Sequence, residues 1–202
     1  MTVLVTEGEV TQAADPFRRR LLDGLADSIA ERGYRASTVA DIVRAARTSK
    51  RTFYDRFASK EECFLELLRV DNEALAERIG AEVDPQADWQ DQIRQAVGAY
   101  VAQIRARPAI TLSWIRELPS LGEVARPAQR RGLDLMANLL VALSGSPGFR
   151  RAGLPALTPE LAVILLGGLR ELTALAVEDG TDIGAITGPA IDASIALLGP
   201  RH

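Results

Sequence analysis

Four helix-start signals crowd into the stretch from Asp15 to Glu62, and they leave it little choice but a set of short helices. Asp15-Pro16 pairs an N-cap residue with a proline at the first helical position. Ser37 or Thr38 opens a second helix, Ser49 a third, and Ser59 a fourth, with Glu62 three residues on to complete a capping box. Between these caps the apolar residues recur at helical spacing. Phe17, Leu21, Leu25 and Ile29 form an i, i+4 stripe that ends at Gly33, and Val39, Ile42, Val43 and Ala46 form the next. Only Arg47 and Thr48 separate the second stripe from the Ser49 cap, so the second and third helices make a helix-turn-helix.

The third helix lies in the stretch TSKRTFYDRF, residues 48–57. At about 100° per residue, Phe53 and Phe57 share one side, Arg51 and Asp55 the opposite one, and Thr52 and Tyr54 the flanks. One face is thus built for a core, and the other offers a guanidinium bracketed by hydroxyls, the layout of a helix that reads a major groove and touches the phosphates beside it. Lys50 falls toward the phenylalanine side and has to splay outward. An ordinary solvated amphipathic helix is the competing reading of these ten residues taken alone.

Charge distribution separates the two readings. Residues 15–60 hold eleven basic and six acidic side chains, a net charge of +5, within a chain whose net charge is −3. A basic head on an acidic body points to a polyanionic partner for the head. Arg18, Arg19 and Arg20 sit in the first turn of the first helix, where the macrodipole favours acids, so a place near phosphates is their expected role. The single cysteine, Cys63, falls on an apolar stripe and reads as core; the single histidine is His202. An intrachain disulfide is therefore excluded, a Cys/His metal site lacks ligands, and internal histidine chemistry is absent. No metal, no cofactor and no enzymatic activity are expected. The first sixteen residues lack the basic and apolar regions of a secretory signal, and the apolar run LAVILLGGL at 161–169 is too short to span a bilayer, so a cytoplasmic protein without membrane attachment is the expectation.

The rest of the chain also reads as helix, giving an all-α fold class. The fourth helix continues to about Val83, another covers about Asp88 to Arg107, and Pro108 opens a short one reaching Leu118. A further helix runs to about Leu143, either begun at Pro127 or begun earlier at a Ser120/Glu123 capping box and kinked there. Residues 144–157 read as a loop. Thr158-Pro159-Glu160 starts a long helix to about Asp179, and Pro189 opens the last. Tyr100, Ile104, Trp114, Leu118, Met136 and Leu140 are candidate walls for a small apolar ligand, with plain core packing as the competing reading. Apolar residues surround the 161–177 helix on nearly every side, and Gly167-Gly168 permits a close crossing, so Leu165, Gly168, Leu172, Ile191 and Ile195 are candidates for a dimer interface.

Gly33, Thr38, Ile42, Ala46, Ser49, Thr52, Tyr54, Phe57, Lys60 and Glu61 stand in a register that resembles the DNA-binding domain of the TetR family of transcriptional regulators. The resemblance covers about residues 17–65; beyond it only the helical architecture is similar. Residues 1–14 read as a disordered arm, and the resemblance implies a helix-turn-helix domain at 15–60 and a ligand-binding and dimerisation domain at 61–202, about nine helices in all. It further implies a homodimer that binds a two-fold symmetric double-stranded DNA operator, most simply as a repressor, and is released by a small hydrophobic effector. Thr38, Thr52, Tyr54 and Lys60 then occupy phosphate-contacting positions, Lys50 and Arg51 lie near base edges, and Ser49 completes the DNA-facing set. Two positions depart from the family pattern, Arg47 and Arg51, where glycine is usual or frequent. An architectural DNA-binding protein of the same fold without ligand response is the alternative, and an enzyme built around a helical cavity the more distant one.

Overall fold

A computed structural model of the chain describes residues 15–200; the arm read at residues 1–14 lies outside them. Ten α-helices and no strand occur among the described residues. They are α1 (Pro16–Ala36), α2 (Val39–Ala45), α3 (Lys50–Tyr54), α4 (Lys60–Glu82), α5 (Trp89–Ala106), α6 (Pro108–Leu112), α7 (Arg126–Ser144), α8 (Pro147–Arg151), α9 (Pro159–Glu178) and α10 (Thr187–Leu198). The chain divides into two compact units, one up to Leu68 and one from Arg69, so α4 contributes its first part to one and its remainder to the other.

In the first unit the sequence caps form as expected. The Asp15 carboxylate accepts from the Phe17 amide at 2.9 Å, the Thr38 hydroxyl from the Asp41 amide at 3.2 Å, and the Ser49 hydroxyl from the Thr52 amide at 3.1 Å. Ser59 accepts from the Glu62 amide at 3.1 Å, while the Glu62 carboxylate reaches past Ser59 to the Ala58 amide. Gly33, at φ 77° and ψ 162°, ends the regular part of α1 where the sequence places its end. Leu21, Leu25, Ile29, Ile42, Phe53, Phe57, Cys63, Phe64, Leu67 and Leu68 form a core with at most 1% of each exposed. Phe17 is 44% exposed, so the buried stripe begins one turn later than its spacing predicts. Gly24 makes the α1–α2 approach possible, since an added Cβ would stand 2.7 Å from the Ile42 carbonyl oxygen.

The triple arginine of α1 calls for a correction. Arg18 pairs with Glu66 at 3.1 Å, donates to the Arg56 carbonyl at 3.2 Å and lies 4.4 Å from the Phe57 ring centre. Arg20 donates to the Ala46 and Arg47 carbonyls at 2.7 and 3.0 Å, closing the C-terminal end of α2. Two of the three are therefore internal fasteners; a cation is favoured at a helix C-terminus, and here it comes from the first turn of another helix.

The second unit has two buried clusters. Ile93, Val97, Val101 and Ile104 of α5 meet Phe149, Ala176, Ile183, Ile186 and Ala190 in the first. Ile79 and Val83 of α4 meet Ala99, Met136, Ala137, Leu157, Ala162 and Leu166 in the second. Helices α5 and α9 serve both, because each is apolar on more than one side. Between α6 and α7 the chain stays helical but changes pitch: Ser113–Glu117 forms a π-helical turn and Leu118–Val124 a 3-10 segment broken at Gly122, φ 63°. The expected Ser120/Glu123 capping box does not form; Ser120 donates instead to the Glu117 carbonyl at 2.6 Å, and Pro127 lies in the first turn of α7. The segment 144–157 is not all loop, because Pro147 opens the short α8. That segment is fastened by the buried Gln92, whose amide donates to the Pro85 and Ala87 carbonyls and accepts from Ser146.

Arg47 adopts φ 49°, a left-handed conformation that no other non-glycine residue adopts among those described. The Cβ clash of that region costs about 1–2 kcal/mol for a chiral residue, partly offset in glycine by greater freedom in the unfolded chain. Arg47→Gly should therefore raise unfolding stability by about 1 kcal/mol, read as a higher denaturant midpoint at unchanged slope; an unchanged midpoint would mean that the arginine side chain offsets the strain.

Candidate nucleic-acid interface

A helix of five residues is below the length that sustains itself in water, so α3 is held by what it buries. Phe53 is completely buried and Phe57 nearly so, their ring centres 5.8 Å apart. With that side fixed, Lys50, Arg51 and Tyr54 stand in solvent, Tyr54 58% exposed and packed edge-on against Phe53 at 5.3 Å. Ser49 and Thr52 are joined hydroxyl to hydroxyl at 3.0 Å, which fixes Thr52 on the flank of the exposed face.

Thr38 is exposed at the start of α2, its hydroxyl donating to Asp41 at 2.6 Å. The Thr38 hydroxyl and amide, then the Arg44 and Arg32 guanidiniums, hold the Asp41 carboxyl below its ordinary value against the effect of partial burial. The ammonium of Lys60 donates to the Tyr34 and Ser37 carbonyls at 3.1 and 2.9 Å and lies 4.3 Å from the Tyr34 ring centre. It is thus bound to the end of α1, immediately before Thr38 in the chain.

Apart from Arg35, which also has an interaction, the cations of residues 15–60 sort into two sets. Arg18, Arg20, Arg32, Arg44, Arg56 and Lys60 are engaged with acids or helix-end carbonyls. Among the described residues the side chains of Arg19, Arg47, Lys50 and Arg51 have no ion pair or hydrogen bond, and all four are exposed. Three of those four belong to the turn before α3 and to its first two positions. Arg47 is the member that spacing misses: the sequence marks it as a turn residue, and the sign available was that no acid stands at helical distance to pair with it.

The match to known proteins falls on this same stretch. Residues 21–67 match the family model of bacterial regulatory proteins, tetR family. Over those residues the chain is similar to the DNA-binding region of that family. Among the relatives of this chain is the HTH-type transcriptional repressor AcnR of Corynebacterium glutamicum, 29% identical over 128 residues, covering 58% of this chain and 66% of that protein. The chain thus spans just under two thirds of the length of that curated relative. Among solved structures, the fatty acid degradation regulator FadR from Bacillus halodurans superposes with a TM-score of 0.76 at 22% identity, over 93% of this chain and 97% of that one. FadR from Bacillus subtilis, solved in complex with stearoyl-CoA, gives 0.76 at 18% identity over 91% and 99%. These structural likenesses establish the fold.

The other candidate residues are distributed as follows. Tyr100 and Ile104 belong to the first cluster of the second unit, Met136 and Leu140 to the second, and Leu118 is buried apart from both. Trp114 is turned by the π-helical turn onto Gly132 of α7, where an added Cβ would lie 2.4 Å from its ring, and Asn72 donates to the Gly132 carbonyl at 3.3 Å. Leu165 is buried within its own subunit, and Leu172, Ile191 and Ile195 pack half-buried on the first cluster. Gly168 is exposed on a face of α9 that also shows Ile164 at 60% and Leu175 at 48%. Beside it, Arg116 makes bidentate contacts to Glu171 and further bonds to Glu178 at 2.7–3.0 Å. Burial pushes the Cys63 thiol up to about 12, in keeping with a core residue. Among the described residues no cluster of His, Cys, Asp or Glu is placed to hold a metal, and no helix is long and apolar enough to cross a membrane.

On duplex DNA, Arg51→Ala should relax selectivity at one base pair per half-site at a cost of about 1–3 kcal/mol, whereas Tyr54→Phe should weaken all sequences alike by removing a phosphate contact. Selection from a randomised duplex library separates the two; matching selectivity profiles would contradict the division of roles.

Proposed function

We propose that the protein is a transcriptional repressor that binds a two-fold symmetric DNA operator as a homodimer and is released by a small hydrophobic effector. The observation that carries this reading is the placement of the partnerless cations: Arg47, Lys50 and Arg51 crowd the start of a helix whose other face is locked into an aromatic core. A rigid helix with cations and hydroxyls at its N-terminal end suits entry into a major groove. Similarity to the transcriptional repressor AcnR supports repression. Effector binding draws support from the two apolar clusters of the second unit and from the stearoyl-CoA bound to the B. subtilis FadR. A long-chain acyl derivative is accordingly the first effector to test. Helix α4 is continuous from Lys60 to Glu82.

Footprinting on genomic fragments retained by the protein should give a symmetric protected site, with affinity falling steeply as salt rises because phosphate neutralisation releases counterions. Effector titrated with and without operator, followed by Trp114 fluorescence in a Trp89→Phe background, should show effector and operator weakening each other by the same factor, about 5–150-fold. Equal effector affinities in the two titrations would refute the switch.

For the dimer, the exposed α9 face of Ile164, Gly168 and Leu175 is the surface to test. An added Cβ at Gly168 meets nothing within 4 Å in its own chain, and leucine is a better helix former than glycine, which lies about 0.8–1 kcal/mol below alanine. Gly168→Leu should therefore keep helix content while lowering the sedimentation coefficient to that of a monomer; a persistent dimer would place the interface elsewhere.

A further inference from the structure

Most arginines of the second unit that lie against its buried clusters have an acid. Arg107 reaches Asp71 at 3.5 Å, Arg105 reaches Asp182 at 2.9 Å, and Arg116 holds both Glu171 and Glu178. Arg170 of α9 differs: it is half-buried, it has no ion pair or hydrogen bond among the described residues, and its Nε is buried without an acceptor. Leaving such a group unanswered away from water is costly. Glu171, the adjacent acid, accepts from Arg116 on both carboxylate oxygens and makes no hydrogen bond to Arg170.

The surroundings of Arg170 are also donor-rich. One turn on, Thr173 is fully buried and bonded to the hydroxyl of Tyr100 at 2.7 Å. Two hydroxyls sharing one hydrogen bond leave a second O–H to donate, and neither residue has another partner among the described residues. Burial first, and the Arg116 charge last, push the Arg170 guanidinium below its ordinary value, while Tyr100 and Glu171 act the other way. Burial also raises the Tyr100 phenol, with the Thr173 hydrogen bond and Arg170 opposing, so it remains a neutral donor. Tyr100 packs against the first cluster, which holds Val97 and Val101 and against which Leu169 and Leu172, neighbours of Arg170 on α9, also pack. An excess of donors at the edge of an apolar cluster is complementary to one chemistry, an anionic oxygen at the end of a hydrocarbon.

We propose that Arg170, with the spare hydroxyl hydrogen of the Tyr100–Thr173 pair, is the recognition point for the anionic end of the effector, which is therefore an anionic amphiphile and not a neutral apolar molecule. This rests on the effector-binding reading above. The guanidinium fork matches a carboxylate or phosphate in two parallel hydrogen bonds. Both a free acid and the phosphates of an acyl thioester present that chemistry.

Calorimetric titration of the full chain with dodecanoate, 1-dodecanol and dodecanoyl-CoA, all below their critical micelle concentrations, tests the assignment. The wild type should bind at least one of the two anionic probes tenfold or more tighter than the alcohol. Arg170→Gln should bring that probe to the affinity of the alcohol, Arg170→Lys should retain part of the preference, and Tyr100→Phe should lose part of it. A preference shown by dodecanoate identifies a carboxylate, and one shown by dodecanoyl-CoA alone a phosphate; both support the site. Arg170→Met should raise the melting temperature, because it removes a half-buried unpaired charge, whereas a merely structural arginine would lower it on removal. The proposal is overturned if the wild type binds none of the probes, if it does not discriminate among them, if the preference survives Arg170→Gln, or if Arg170→Gln converts a dimer to a monomer in sedimentation, which would make Arg170 an intersubunit contact. Because this comparison contains no DNA, its failure is separable from failure of operator binding, measured on the wild-type protein alone.

Discussion

The burial of Phe53 is the constraint on which the first unit depends. Five residues cannot repay the cost of nucleating a helix, and α3 exists because its phenylalanine fills a core already made by Leu21, Leu25, Ile42 and Phe64. The same core is stiffened by the Tyr34–Phe64 stack, ring centres 3.9 Å apart, with the Lys60 ammonium against Tyr34. Rotation of α3 about its axis would expose Phe53 and bury Arg51 or Asp55, both expensive. The orientation of the cationic face is therefore a consequence of packing on the opposite side.

Electrostatics in this unit follows the helix ends. Carbonyls left unpaired where α1 and α2 stop are met by Lys60 and Arg20, residues remote in sequence from the groups they satisfy. Arg18 and Arg56 have acids of their own. What remains for an external partner is a small part of the total charge, concentrated where α3 begins. A count of +5 for the segment thus gives the right sign of partner without saying which cations face it.

In the second unit the change of pitch between α6 and α7 has two effects. The π-helical turn points Trp114 at Gly132, whose carbonyl also accepts from Asn72 of α4, and it points Arg116 at Glu171 and Glu178, so neighbouring residues of one turn fasten to α7 and α9. π-helical turns are uncommon and recur at functional sites. Arg116 thus holds Glu171 directly beside Arg170, which itself makes no ion pair among the described residues.

Local chemistry determined a great deal. The caps at Asp15, Thr38, Ser49, Ser59 and Thr158, the stop at Gly33 and the helical period of the apolar residues identify most of the helices, because each signal acts within one or two turns. The same locality explains the exposed Arg51 and Tyr54, which lie away from the two phenylalanines, whereas Lys50, on the phenylalanine side by spacing, is exposed at the first position of α3. Other features needed tertiary structure. Nothing near Arg18 or Arg20 in sequence reveals that Glu66 and the Ala46 carbonyl take them up; no local pattern distinguishes the buried Leu165 from the exposed Ile164 beside it; and nothing beside Glu171 in sequence reveals that it bonds to Arg116. Sequence fixes the period of a helix, which is set by hydrogen bonds four residues apart, whereas the partner of a charged or apolar side chain is set by contacts tens of residues apart, which only the packed chain defines.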